Sequence, residues 1–275
     1  MSVDPAALVS LVWGTVNLRP YVFVFLLAFL AAAARDLGRG RTVLFFLWGW
    51  SVALLAEYSS TRVGIPFGLY HYTGLTRGSE LYIFNVPFFD SLSFPFLAYA
   101  ACCLSRLALG MDRGASVVGL AGVLMMLLDV VVDPLAVRGD RWFLGRLFYY
   151  PAGGVYFGVP LSNFAGWLLV GWATVGGYEA MTRLAGRPSG DAAEGSPGGG
   201  VLLYYGVLLF NLAITFWIGE WRLLASGILV QAGAGLLLYG IGARLRRQGP
   251  QARERIRRVP GPARHHLDDT RSRGL

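Results

Sequence analysis

Charge is scarce over long distances in this chain, and the uncharged runs recur at a length that suits a membrane helix. Crossing the hydrocarbon core takes about 20 predominantly apolar residues. The runs that meet or approach this are Tyr21–Ala34 with its flanks, Thr42–Glu57, Val86–Leu109, Ala115–Val132, Pro160–Met181, Val201–Gly219 and Leu223–Ala243. They predict an all-α fold, a polytopic membrane helical bundle of about seven transmembrane helices within residues 1–248. The second run is short enough to tilt or to sit where the bilayer thins. Asp4–Leu18 is either a surface helix or an extension of the first span. No basic region followed by a short apolar stretch and a small-residue cleavage site opens the chain, so the first membrane helix is expected to act as its own insertion signal.

The polar segments between the runs suggest an orientation. Arg35, Arg39 and Arg41 follow the first run, Arg106 and Arg113 the third, and Arg183 and Arg187 the fifth. More arginines crowd the end from Arg244 onward. By the bias of short cytoplasmic loops toward basic residues, these positions alternate correctly for an N-terminus outside and a C-terminus inside. Arg62, Arg77, Arg138, Arg141, Arg146 and Arg222 lie on the opposing side and make the bias moderate. Residues 186–200 (GRPSGDAAEGSPGGG) read as a flexible cytoplasmic linker, and 249–275 as a disordered basic tail attracted to anionic lipid.

Composition agrees with the bilayer. Of 275 residues, 55% are hydrophobic and 15% charged, against roughly 45–50% and about 25% in an average soluble domain. The net charge of +8 would suggest nucleic acid if it formed a basic face with exposed aromatic rings, and no such face is visible. All 24 basic residues are arginine. That removes a retinal Schiff base and any lysine-dependent pyridoxal chemistry. Cys102 and Cys103 are adjacent in an apolar run and read as packing residues, and neither they nor the three histidines show metal-ligand spacing.

Acids inside apolar runs are costly and mark function by default. Glu57 ends the second run, Asp90 begins the third, and Asp129 and Asp133 close the fourth at i,i+4 spacing on one face. Glu220 lies between the last two runs. All five are expected near the non-cytoplasmic side. Bland readings compete: ion pairs of Glu57 and Asp90 with Arg62 or Arg77, helix termination at Asp133 before Pro134, a structural role for the deeper Asp129, and an interfacial position for Glu220. Two loops on that side mix glycine, proline and rings, as backbone lining a cavity does. One holds Phe67, Tyr70, His71 and Tyr72; the other holds Tyr156, Pro160 and Asn163.

These segments carry a resemblance. AEYSSTRVGIPFGLYHYT (Ala56–Thr73), LDVVVDP (Leu128–Pro134) and YFGVPLSNFAGW (Tyr156–Trp167) resemble the membrane carotenoid-biosynthesis proteins. That family includes carotenoid 1′,2′-hydratases of the bisanhydrobacterioruberin hydratase and γ-carotene 1′-hydroxylase type. The match is good from Thr42 to about Trp172; the stretch Gly74–Asn85 is less regular, and Asp90 with Ser91 looks individual. The resemblance implies addition of water across the terminal double bond of an acyclic carotenoid end, giving a tertiary alcohol without a cofactor. Such a reaction needs a proton donor, a protected tertiary cation and one positioned water, and a desolvated carboxylic acid can be the donor. On this reading Asp129 is the proton donor with Glu57 second, Asp133 and Asn163 hold water, and Phe67, Tyr70, His71, Tyr72, Asp90, Tyr156 and Pro160 bind the end group. The partners implied are a carotenoid within the bilayer of the cell membrane and the surrounding lipids, with room for association with other carotenoid-biosynthesis enzymes. Two alternatives stay open: a seven-helix transporter or receptor using the acids as a path, and a different end-group modification or accessory role in the same family.

Overall fold

The computed structural model describes residues 5–185 and 195–257, with the side chains of the last helix described as far as Arg244. Among the described residues are eight α-helices: α1 (Pro5–Leu18), α2 (Pro20–Asp36), α3 (Arg39–Val63), α4 (Phe88–Leu109), α5 (Ala115–Ala136), α6 (Leu161–Leu184), α7 (Gly198–Trp217) and α8 (Trp221–Arg257). The seven expected runs are α2 to α8. Five of these, α3, α4, α5, α7 and α8, are long and apolar enough to cross a membrane, and α1 with α2 makes a sixth if the bent pair is one span. The shorter α2 fails alone, and α6, which carries Asn163, Glu179 and Arg183, does not reach the same threshold. The linker expected over 186–200 falls mostly, and the tail beyond Arg257 wholly, outside the described residues.

α1 is a separate helix rather than a straight extension of α2, since the two meet at 90°. The corner is Arg19, whose successor Pro20 disfavours helical backbone before it and begins α2 at a position proline suits. Only Thr15 of α1 is buried. Arg19 itself is fully enclosed: it donates to the Leu144 carbonyl at 2.7 Å, pairs with Glu80 at 3.3 Å, and lies over the Phe89 ring at 4.5 Å.

α4 is the central helix, packed against α2, α3, α5 and α7. Small residues bring its neighbours close. A Cβ on Gly171 of α6 would lie 2.9 Å from the Gly122 Cα of α5, so these backbones touch as small-residue membrane interfaces do. Cys103 is free and buried against Gly200, in keeping with a packing role.

Among the described residues most arginines are engaged. Arg106, read from the sequence as a loop charge, is 4% exposed and binds Asp36 through two nitrogens at 2.6 and 3.1 Å. Glu220 is held by Arg138 at 3.3 Å and by Arg141, which fits its interfacial reading. Arg62 and Arg77 do not pair with Glu57 or Asp90; they lie over the rings of Tyr58 and Tyr82 at 4.0 and 4.8 Å.

Candidate active site

The two glycine- and proline-containing loops fold onto each other at one end of the bundle. Gly68 has a positive φ of 88°, and a Cβ there would lie 2.6 Å from the Ser162 Oγ and 3.4 Å from Pro160. Gly166, one turn into α6, lies under Pro66 and Phe67, where a Cβ would approach the Phe67 ring to 2.5 Å. The Ile65–Pro66 peptide is cis, and the Phe67 N–H donates to Ser60 Oγ at 3.0 Å. A two-residue strand, β1 (His71–Tyr72), then pairs antiparallel with β4 (Phe148–Tyr149), while β2 (Tyr82–Ile83) and β3 (Val86–Pro87) form a hairpin leading into α4. The register sets His71 opposite Tyr149 and Tyr72 opposite Phe148. Successive strand residues face opposite sides, so Tyr72 turns inward and His71 outward.

The inward side chains enclose a chamber of about 30 Å³, walled by Glu57, Tyr70, Tyr72, Asp90, Asp133 and Asn163 and by the rings of Phe67, Phe94, Phe148, Tyr150 and Trp167. That volume admits one or two waters, each needing roughly 10–15 Å³ on this measure. Glu57, 2% exposed, receives the Tyr72 hydroxyl at 3.0 Å and the Ser91 hydroxyl on its other oxygen. Tyr72 also reaches Asp90 Oδ2 at 2.7 Å and the Tyr70 hydroxyl at 3.3 Å. Burial, reinforced by the adjacent carboxyls, holds the Tyr70 and Tyr72 phenols well above their ordinary range, so both stay neutral donors.

On the opposite wall Asp129 has no solvent exposure and receives the Asn163 amide at 2.6 Å on Oδ2, while its Oδ1 is buried with no hydrogen-bond partner. Asp133 lies one helical turn on, beside Asp129, Asn163 and Trp167. It lines the chamber, whereas Asp129 sits behind the lining. Asp90, Asp133, Phe148 and Trp167 also form part of a second, largely apolar cavity of about 90 Å³. This extends between α2, α4, α5 and α7 to Tyr21, Phe25 and Phe210. The carboxyls thus sit where a water-sized space meets an apolar one.

Seven of the expected residues meet in the chamber: Glu57, Phe67, Tyr70, Tyr72, Asp90, Asp133 and Asn163. His71 is exposed and lies against the Tyr149 ring. Pro160 precedes α6 and packs on Gly68, outside the lining. Tyr156 packs on Phe157 and Phe164, with its hydroxyl buried and unpaired. Sequence reasoning left out Ser91 as a partner of Glu57, the wall residues Phe94, Phe148, Tyr150 and Trp167, and the apolar cavity. The available signal for Trp167 was its place in the YFGVPLSNFAGW segment, one turn after Asn163.

Among the described residues, no arginine comes within ion-pair distance of Glu57, Asp90, Asp129 or Asp133, while Asp36, Glu80, Glu179 and Glu220 each have one. Glu57, Asp90 and Asp133 at the chamber, with Asp129 behind it, are thus acids without a cation partner. Fold and site together define a helical membrane protein with an acidic chamber without cations beside an apolar cavity. The chain belongs to the carotenoid biosynthesis protein family, whose pattern matches residues 18–239. Over 121 residues it is 36% identical to bisanhydrobacterioruberin hydratase of Haloarcula japonica, an alignment covering 43% of this chain and 38% of that protein. No solved structure matches.

Proposed function

We propose that the protein is an enzyme that hydrates the terminal 1,2 double bond of an acyclic carotenoid end group. The observation that carries this is the group of four carboxyls without a cation partner at or just behind a water-sized chamber that adjoins an apolar cavity. Family membership and the partial similarity to a hydratase support it.

The chemistry follows from the placement. The end group enters the apolar cavity and brings its trisubstituted double bond to Asp133. The Asp133 carboxylic acid transfers its proton to the less substituted alkene carbon, and the π electrons form the new C–H bond. The tertiary cation that results faces Trp167 and Phe148, whose ring faces stabilise positive charge by about 0.5–2 kcal/mol each. Water in the chamber adds to the cation, and its surplus proton passes to the carboxylate of Glu57 or Asp90. Return of that proton to Asp133 through chamber water closes the cycle, with one water consumed per alcohol.

Two local features suit this. Tyr72 has one hydrogen but three oxygens in reach, so completing that set takes a proton on a neighbouring carboxyl. Asp129, deeper and oriented by Asn163, is placed to pass a proton to Asp133. The acid expected at Asp129 is on this account a pair, with Asp133 in contact with substrate. The finer topology belongs to the same proposal: seven crossings of the cell membrane, N-terminus outside and C-terminus inside, with the chamber toward the outer face. The carotenoid reaches it from the bilayer, and no cofactor takes part.

The test is expression in cells that accumulate lycopene, with pigments resolved by chromatography and mass spectrometry. A more polar pigment heavier by one water, with an unchanged visible spectrum, is expected. Unaltered lycopene and unaltered longer or monocyclic carotenoids, in cells with verified membrane expression, would count against hydration.

A further inference from the structure

The apolar cavity is too small for more than an end group, and the remainder of a long substrate must lie somewhere. A trough of about 600 Å³ runs along the outer surface of the α2–α7 seam, where Val24 and Leu202 are exposed. Its floor is made by small residues, Ala28 and Ala31 of α2 with Gly199 and Gly206 of α7. Phe25 lines both the trough and the apolar cavity, so the two spaces flank that ring. The helices run antiparallel there: Gly199 lies against Ala32 at one end, and Phe210 stacks on Tyr21 at 5.2 Å at the other. Between Tyr21 and Arg35, which marks the far end of the trough, α2 advances about 21 Å at ~1.5 Å per residue.

We infer that this trough holds the linear polyene of the carotenoid whose end group is seated beside Asp133, with Phe25 at the junction of the two. The inference rests on the hydratase reading for the end group and adds where the rest of the molecule lies. A straight, open groove parallel to two helices fits a rigid rod with no polar atoms. A lipid acyl chain could fill the trough alone, but it presents nothing to the carboxyls at the closed end. Trough, cavity and chamber lie in series through shared lining residues, Phe25 and then Asp133 and Trp167, and that arrangement favours one molecule that uses all three.

The test uses the full chain in lipid nanodiscs with lycopene. Lycopene is achiral and shows visible circular dichroism only when a chiral site holds it. Gly206→Leu and Ala28→Leu each fill the trough from a different helix, and Leu209→Phe on the exposed face of α7 is the control. Expected are an induced dichroism in wild type and control that both trough variants lose. Expected too is a KM for lycopene raised roughly tenfold with kcat unchanged, the mark of lost ground-state binding. Trough variants that elute as folded protein yet keep both the dichroism and the KM would overturn the inference and leave the groove to lipid. If wild type hydrates nothing but its dichroism still disappears in both trough variants, the trough stands and the hydratase reading falls.

Discussion

Asp133→Asn separates the two acids that share the α5 face. Asparagine keeps the shape and volume of the side chain one turn from Asp129, so the wall of the chamber stays intact, but it has no acidic proton to give. Positioned general acids contribute about 10²–10⁴-fold to rate, and a loss of three decades corresponds to about 4 kcal/mol at ~1.36 kcal/mol per decade. On the proposed hydratase reading, turnover of lycopene by Asp133→Asn should fall on the order of a thousandfold, with membrane expression and elution unchanged. Asp129→Asn is milder. Its amide can present a carbonyl to the Asn163 amide now 2.6 Å from Oδ2, so the hydrogen bond survives while the proton of the proposed relay is lost, and a drop of roughly 10–100-fold is expected. Product would be quantified per immunodetected protein after expression in lycopene-accumulating cells. An Asp133→Asn variant within about threefold of wild type would remove Asp133 from the chemistry. An Asp129→Asn variant that is the more damaged of the two would restore Asp129 as the direct donor.

Tyr72→Phe removes the hydroxyl that joins Glu57, Asp90 and Tyr70 and leaves buried carboxyl oxygens unpaired, a cost of about 1–3 kcal/mol that thermal unfolding in detergent would register. Tyr70→Phe, which loses one 3.3 Å contact, should cost less. Because burial raises both phenols, the unfolded chain releases their protons first once the pH passes about 10, so stability falls as pH rises beyond that point. The double variant Tyr70→Phe/Tyr72→Phe should flatten this alkaline loss in a melting-temperature series, and an unchanged slope would contradict the buried-phenol account. Asp36→Ala removes the two-point carboxyl partner of the enclosed Arg106, which still reaches the exposed Asp112 at 3.6 Å, and should destabilise by about 1–3 kcal/mol, with Asp36→Ala/Arg106→Ala costing less than the summed single variants. Gly171→Ala forces a methyl to 2.9 Å from the Gly122 Cα and should cost about 1–3 kcal/mol while parting Asn163 from Asp129, so turnover and melting temperature should drop together.

The helices and the acids were legible for one reason: both are contrasts against an apolar background. A carboxyl in an uncharged run is visible without any knowledge of its neighbours, and Glu57, Asp90 and Asp133 do converge. What the sequence could not show were pairings across long separations. Arg19 meets Glu80 across 61 positions, and Arg106 meets Asp36 across 70, so Arg106 looked like a loop charge and Arg19 attracted no notice. The walls were hidden by abundance. With 17 phenylalanines and eight tryptophans in the chain, nothing in the local pattern marks Phe94 and Trp167 as the pair stacked at 4.3 Å beside the chamber. His71 was misplaced because β1 is two residues long, too short for an alternating pattern to reveal which of His71 and Tyr72 points inward.

The distribution of arginine gives the site its character. An arginine beside a carboxyl holds it ionised and ends its use as a proton donor. In this bundle the guanidinium groups are drawn away from the chamber. Arg106 serves Asp36, Arg138 and Arg141 serve Glu220, and Arg183 serves Glu179. Arg19 is the informative case, since it lies over Phe89, the residue next to Asp90, yet its hydrogen bonds go to Glu80 and the Leu144 carbonyl. Glu80 thus engages the cation nearest the acid cluster and leaves Asp90 to Tyr72. Four carboxyls left without a cation would be a heavy cost in a structural core. They are tolerable where each can share protons with hydroxyls, an amide and water, and that is the condition an acid-catalysed addition of water requires.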